Sequence, residues 1–356
     1  MTGSRRLPTG LAKLGVFSLA LACLAALASD RARAAEAPQP DMTELVCAKA
    51  RDLSAYRSKS LALLVPGSDG FLFRSRIDMR DYGPLKSGPK KELLKVIAAL
   101  RERGTEVVLV VPPPRPVADR SRLLAAEVAT LGYDVAAAEA GYTAMLDDLR
   151  ADGVLVADVL GQARAHLGAA EPFYLRRDIH WSSDGARIAA EAAAATIAGL
   201  PARAALEPAA FTTEKRDAGD ADEKLGEALE KLCDVKVPAE RESFYRTSEA
   251  DAEAGLFGER APEVVLVGTS FSHRGDDDPN FSGFLQQALS TRVLNASEEG
   301  GGFEGSMAAY LRSDTFREAP PKVIVWEFPP YERPDVDDGK PVRIVRSALK
   351  KALAGN

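Results

Sequence analysis

The chain has 356 residues, 46 lysines and arginines against 52 aspartates and glutamates, and a formal net charge of −6. It has no basic tract, which argues against a nucleic-acid partner. Its length suits one large domain or two small ones, and a hydrophobic content of 46% is that of an ordinary globular chain.

In chain order, the first signal is one of export. Arg5, Arg6 and Lys13 precede an apolar run over 14–28, and Ala32-Arg33-Ala34 offers a small-x-small cleavage site. Residues 1–34 therefore read as a signal peptide that sends the chain to the periplasm. The apolar run is short for a lasting membrane anchor, although a retained anchor is the competing reading. Cys23 has Ala20 where a lipidation motif calls for a larger aliphatic residue. No later segment is apolar enough to span a bilayer, so no stable membrane span is expected after cleavage.

Residues 35–356 alternate between strand and helix patterns. Apolar runs at 61–65 and 71–73 flank Gly67-Ser68-Asp69-Gly70, the pattern of a hairpin or sharp turn. Helical spacing over 91–103 ends at Gly104 as a C-cap. A buried strand over 106–111 is stopped by Pro112-Pro113-Pro114. Helices are expected over 120–131 and 134–151, a short strand over 154–156 and a helix over 160–167. The string Asp178-Ile179-His180-Trp181 precedes a helix over 183–198 with Ser182 as N-cap. From 201 to 263 the pattern loosens into an irregular insertion, with a helix within 219–232. A strand at 264–268, a helix at 280–289, a strand at 291–294, a helix at 305–311, a strand at 323–328 and an amphipathic helix at 342–353 complete the chain. Strands alternating with helices predict a single α/β domain, a parallel sheet covered by helices on both faces.

Two strings carry the chemistry. Val264 to Val267 reads as a buried strand, and Gly268-Thr269-Ser270-Phe271-Ser272 places Ser270 at its carboxyl end, where open α/β sheets put their chemistry. Asp178 and His180 add an acid and a base. Hydroxyl, base and orienting acid are the parts of a nucleophilic triad for acyl transfer. In an extended segment, residues two apart point to the same side, so Asp178 and His180 are expected to face one cleft. Taken singly, Ser270 reads as a helix cap and His180 as a satisfied core histidine. Ser272 is a rival nucleophile and His273 a rival base, while His166 reads as exposed. No cluster of Cys and His has metal-ligand spacing, and no P-loop, G-x-G-x-x-G or G-x-S-x-G string is present. The run Asp276-Asp277-Asp278 lacks calcium-loop spacing and reads as a solvated turn. No cofactor and no metal are expected. Of the three cysteines, Cys47 and Cys233 lie beyond the signal; in an exported chain they are most simply disulfide-bonded, with two buried thiols as the alternative.

Further stretches complete a resemblance. Gly67 to Arg74, the run from Arg103-Gly104-Thr105-Glu106 into Pro112-Pro113-Pro114, Arg177-Asp178-Ile179-His180-Trp181 with Gly185-Ala186-Arg187, Gly268 to Ser272, and Trp326-Glu327-Phe328-Pro329 occur in this order. Together the chain resembles the AlgX/AlgJ group of bacterial polysaccharide O-acetyltransferases, with SGNH-hydrolase-like domains, and the N-terminal domain of AlgX above all. The resemblance implies Ser270 as nucleophile, His180 as general base and Asp178 as the residue orienting it. It also implies pairing of Cys47 with Cys233. The order, acid–base pair first and serine later, is the rearranged order of this group, whereas ordinary SGNH hydrolases carry the serine first. AlgX-type chains continue into a carbohydrate-binding module, for which this chain leaves no room.

For the oxyanion hole, the Ser270 N–H, Gly301 within Gly300-Gly301-Gly302, and the Asn295 amide are candidates. The glycine run reads equally as a flexible turn. The usual Gly-x-Asn is absent, and Glu327 stands near its place. Trp181 and Trp326 are candidates to line a sugar site, and Arg177 with Arg176 to hold a uronate carboxylate; core packing and a solvated loop are the plain alternatives. The resemblance implies a periplasmic O-acetyltransferase of an exopolysaccharide, alginate-like in the first instance. Its partners would be the polymer, an acetyl donor and other secretion proteins. A carbohydrate esterase with the same triad and a non-catalytic secretion component are the alternatives.

Overall fold

Alternating side-chain direction sorts the apolar strands into a two-faced sheet. The structure is a computed structural model, and it describes Met1 and residues 38–168, 171–250, 262–273 and 280–354. The expected signal peptide and Asp276-Asp277-Asp278 lie outside the described residues. The chain divides into the units Met1–Gln39 and Pro40–Asn356, and the fold below is that of the second.

In chain order the main elements are β1 (Leu64–Pro66), β2 (Leu72–Arg74), α1 (Ser87–Arg101), β3 (Glu106–Val110), α2 (Val135–Ala151), β4 (Leu155–Val156), α3 (Val159–His166) and α4 (Ser183–Ala198). There follow β5 (Phe211–Asp220), α5 (Lys224–Cys233), β6 (Arg241–Glu249), β7 (Val264–Val267), α6 (Ser270–His273), α7 (Phe281–Leu289), β8 (Val293–Asn295), α8 (Gly305–Arg312), β9 (Val323–Glu327) and α9 (Lys340–Ala354). Five strands form one parallel sheet in the order β4-β3-β9-β7-β8. Along β3, β7 and β9, alternate residues enter opposite cores. Val107, Leu109, Val265, Val267, Ile324 and Trp326 pack on one face with α1, α2, α8 and α9. Val108, Val110, Val264, Leu266, Val323 and Val325 pack on the other with α4 and α7. Each such side chain, fully buried, contributes about 1.5–3 kcal/mol. Burial on both faces is why these strands read as continuous apolar runs.

The expected hairpin is present as β1 and β2, antiparallel, with Asp69 and Gly70 at positive φ in its turn. Ser182 caps α4 by accepting from the Gly185 N–H. The expected helix over 120–131 is shorter: a 3₁₀ turn at Arg120–Arg122 precedes a helix at Ala125–Leu131.

One expectation is corrected. From 211 to 249 the segment is not irregular: β5 and β6 form a long antiparallel ribbon, and the expected helix, α5, fills the connection between them. The ribbon's outward residues are mostly charged or polar, so its strands carry no continuous apolar run for a sequence reading to find. A third cluster joins Met42, Tyr56, Leu64 and Leu72 to Leu225 and Leu229 of α5. Beside it, Cys47 and Cys233 form a disulfide with Cα atoms 5.6 Å apart.

Candidate active site

The carboxyl end of β7 delivers the serine. Gly268 leaves the strand where any side chain would collide: a Cβ there would lie 2.6 Å from Glu327 Oε2 and 2.8 Å from Ser272 Oγ. Thr269 follows, and Ser270 opens α6, at the end of a helix where backbone N–H groups have no intrahelical partner.

The acid–base pair sits on the segment between α3 and α4. A bridge between Tyr174 and Trp181 closes this segment, with Leu175 N–H donating to His180 O and Ser182 N–H to Phe173 O. Asp178 and His180 lie on a bend, not in extended backbone, which corrects the expected reason for their proximity. Asp178 Oδ1 accepts the His180 backbone N–H at 2.9 Å and lies 2.5 Å from His180 Nδ1. This local side-chain-to-backbone bond, two residues on, is a short-range device of aspartates in turns. His180 Nε2 lies 2.8 Å from Ser270 Oγ. Asp178 and His180 are buried, whereas Ser270 is partly exposed. The edge of the Phe271 ring packs on His180 with centroids 5.0 Å apart, shielding the imidazole from solvent.

Burial alone would raise the Asp178 carboxyl. The His180 hydrogen bond and charge, with the backbone N–H groups of Lys224 and His180, outweigh it and hold the group well below the usual carboxylate range. The acid is thus a fixed anion facing Nδ1. That arrangement leaves Nε2 free to take the Ser270 proton.

The rivals are engaged elsewhere. Ser272 Oγ donates to Glu327 Oε2 at 2.9 Å, and His273 Nδ1 lies 2.8 Å from Ser297 O. His166 is exposed on α3, as expected. Asn295 is committed to structure: Nδ2 donates to Ser272 O at 2.7 Å and Oδ1 accepts from Ser297 N at 3.1 Å. Gly301 lies in a turn between two positive-φ glycines, Gly300 and Gly302, and packs against Ser306. That turn meets the β7 end through Gly268 O, which accepts from Glu298 N and from Ser306 Oγ.

The candidate sugar-lining residues are not placed to do so. Trp181 is wholly buried, with its ring against Phe271 and Phe281. Trp326 is 1% exposed and donates its Nε1–H to Phe303 O. Arg177 is wholly buried, and its guanidinium donates to Glu223 Oε1 and to Pro238 O, each at 3.0 Å. Arg176 is buried against Glu240. These arginines fasten the ribbon to the site, so the expected solvated loop is corrected as well. The reason is tertiary: their carboxylate partners arrive from the 201–263 segment.

Two contributions were not read from the sequence. Glu327, noted only as standing near the place of the usual Gly-x-Asn, is the last residue of β9; it is buried and accepts from Thr269 N at 2.9 Å as well as from the Thr269 and Ser272 hydroxyls. Burial pushes its carboxyl up to about 7. An acid closing the apolar run Val-Ile-Val-Trp was the signal available. The other is the Lys224 backbone N–H, which donates to Asp178 Oδ2 at 2.8 Å and has no sequence signal at all.

A parallel sheet with a serine after β7 and an earlier Asp-x-His pair on a loop defines an SGNH-hydrolase-like α/β domain. The family described as the SGNH hydrolase-like domain of acetyltransferase AlgX matches residues 64–330, and the chain belongs to that family. It is 34% identical over 299 residues to an alginate biosynthesis protein AlgX of Pseudomonas putida, covering 82% of this chain and 61% of that protein. It is 36% identical over 212 residues to a probable alginate O-acetylase AlgJ of Pseudomonas fluorescens, covering 57% of this chain and 52% of the relative. The chain therefore spans about three fifths of the first relative's length. Among solved structures, Pseudomonas aeruginosa AlgX superposes with a TM-score of 0.71 at 29% identity, over 80% of this chain and 66% of that one. The O-acetyltransferase domain of Pseudomonas putida AlgJ gives 0.61 at 26% identity, over 81% of this chain and 99% of that domain.

Proposed function

We propose that the protein is an exported, periplasmic O-acetyltransferase that acetylates hydroxyl groups of an exopolysaccharide, alginate or a polymer like it, through a serine acyl-enzyme. The observation that carries the reading is the continuous relay Asp178–His180–Ser270, at 2.5 and 2.8 Å, in a chain of this family. Relatives named for alginate biosynthesis and alginate O-acetylation support the choice of acceptor.

In the first half-reaction Ser270 Oγ attacks the acetyl carbonyl carbon of the donor while its proton passes to His180 Nε2. The tetrahedral oxyanion forms beside the Ser270 N–H, which at the head of α6 has no partner among the described residues. Collapse expels the donor's alcohol or thiol, which leaves with the proton from His180. In the second half-reaction a sugar hydroxyl gives its proton to His180 Nε2 and attacks the acetyl-serine carbonyl. The acetyl group moves to the sugar, and Ser270 recovers its proton. Throughout, Asp178 fixes the imidazole tautomer and balances the imidazolium.

Water competes with the sugar at the second step. Transfer wins when the bound hydroxyl is well oriented, since effective molarities can reach roughly 10⁵ M or more. With an activated acetyl ester as donor, uronate oligomers are expected to raise donor consumption and gain acetyl units by mass spectrometry. Acetate release that no acceptor changes would reassign the chain as a carbohydrate esterase. No turnover at all with a folded protein would leave it a non-catalytic component of polysaccharide secretion.

A further inference from the structure

Helix α5 begins without a cap of its own. Its N-cap residue Glu223 makes no side-chain capping bond, and the first bond closed within the helix is Glu227 N to Glu223 O. The three preceding N–H groups need partners, as at any helix start. All three find them on the segment that carries the catalytic acid. Lys224 N donates to Asp178 Oδ2 at 2.8 Å, and Leu225 N and Gly226 N donate to Arg177 O at 2.9 and 3.1 Å. The acid's segment is thus the cap of α5.

The helix is held in place along its length. Arg177, wholly buried, reaches back to Glu223. Leu225 and Leu229 are buried with Met42, Leu64 and Leu72. At the far end Cys233 is bonded to Cys47. At Gly226 the first turn is in contact with the segment: a Cβ there would lie 2.9 Å from Glu223 Oε2 and 3.2 Å from Glu223 Cβ, and in ordinary contact, at 3.5 Å, with Arg177 Cβ.

The consequence falls on Asp178. Its Oδ1 faces the His180 backbone N–H and Nδ1, and its Oδ2 faces Lys224 N. A carboxylate with donors on both oxygens cannot rotate about its Cβ–Cγ bond, and the positive end of a helix favours its anionic form. We propose that α5 is the positioning element of the triad: the Lys224 backbone N–H locks the plane and charge of Asp178, and through it the orientation of His180. This rests on the reading of Asp178, His180 and Ser270 as catalytic. It assigns the 201–263 excursion a part in that site, with Lys224 as a positioning residue acting through its backbone.

Lys224 is the first residue of α5, the position at which proline is best tolerated in a helix. Lys224→Pro removes the N–H at the cost of a shift in the Glu223 backbone, whose ψ of 53° lies outside the extended range that proline imposes on the residue before it. Hydrolysis of p-nitrophenyl acetate is expected to lose roughly ten- to a hundredfold in kcat, the effect of one charge-assisted hydrogen bond, with KM little changed. The acid limb of the kcat/KM profile should move to higher pH, because an Asp178 anion less offset by the helix stabilises the His180 imidazolium more. Lys224→Ala keeps the amide and should restore both rate and profile. A folded Lys224→Pro protein with wild-type kcat and an unmoved acid limb overturns the proposal. If that variant does not fold, Gly226→Val serves: its Cβ crowds Glu223 and its γ-carbons extend beyond a Cβ already in contact with Arg177, so the first turn is pressed off its seat; wild-type kcat there overturns the proposal equally. Ser270→Ala is measured alongside: activity surviving in it would instead overturn the catalytic reading beneath.

Discussion

A buried carboxylate persists as an anion only where donors replace the water it has lost. Asp178 has the backbone N–H of His180, the imidazole Nδ1 and the backbone N–H of Lys224, and its carboxyl is held low as a result. The neighbouring base therefore acquires a definite tautomer before any substrate arrives. Ser270→Ala is expected to cut acetyl-ester turnover by at least about 10³-fold with an unchanged far-ultraviolet circular dichroism spectrum, because nucleophile and base act as one unit. Asp178→Asn should lower kcat by on the order of 10³- to 10⁴-fold through loss of tautomer control. Wild-type turnover in Ser270→Ala, together with loss in Ser272→Ala or His273→Ala, would move the nucleophile or base to the neighbours. The Ser272 bond to Glu327 and the His273 bond to Ser297 O speak against that outcome.

At the scale of elements, the β5–α5–β6 excursion couples a covalent link to the site. The Cys47–Cys233 bond spans a sequence separation of 186 residues. Closing a loop of that size restricts the unfolded chain by about 5 kcal/mol on chain-entropy reasoning. Titration of the denatured, unreduced mature protein should find no free thiol, and two reactive thiols would refute the bond. The helices and strands around the sheet were largely legible in the sequence. The α4 boundaries and its Ser182 cap follow from a small-residue helical pattern behind a serine, and β9 follows from Val-Ile-Val-Trp. In the excursion the helix α5 was legible, but the strands were not, because β5 and β6 pair mainly with each other and leave charged residues outward. A ribbon of that kind has no buried periodicity to announce it. The burial of Arg176 and Arg177 was hidden as well, since Glu223 and Glu240 reach them from the connection between the ribbon's two strands.

For the whole molecule, buried carboxyls set how stability depends on pH. Burial pushes Asp119 up to about 6 and Glu327 up to about 7, both above their unfolded values of about 4. The folded state therefore keeps these protons to higher pH than the unfolded chain does. Their contribution is fully present below pH about 4 and is lost as pH rises through about 6 and then about 7. Asp178 runs the other way: its lowered carboxyl contributes stability above pH about 4 that is lost on further acidification. Thermal unfolding should accordingly show a higher Tm near pH 5 than near pH 8, and Glu327→Gln should flatten part of that fall. A Tm that is constant between these values, or rises with pH, would contradict the burial assigned to these groups.

The sequence by itself determined the α/β alternation, the strand that leads to Ser270, and the pairing in kind of a serine with an Asp-x-His string. These are local facts, carried by side-chain period, turn residues and short motifs. Only the tertiary structure decided which polar groups meet. It brought Ser270 to His180 across the fold, turned Trp181 and Trp326 into the core, committed Asn295 to Ser272 O and Ser297 N and Glu327 to Thr269 and Ser272, and set the start of α5 on Asp178. The physical reason is that a backbone N–H is the same at every residue. Lys224 became the partner of Asp178 through where packing and a disulfide hold its helix, which no pattern of side chains along the chain encodes.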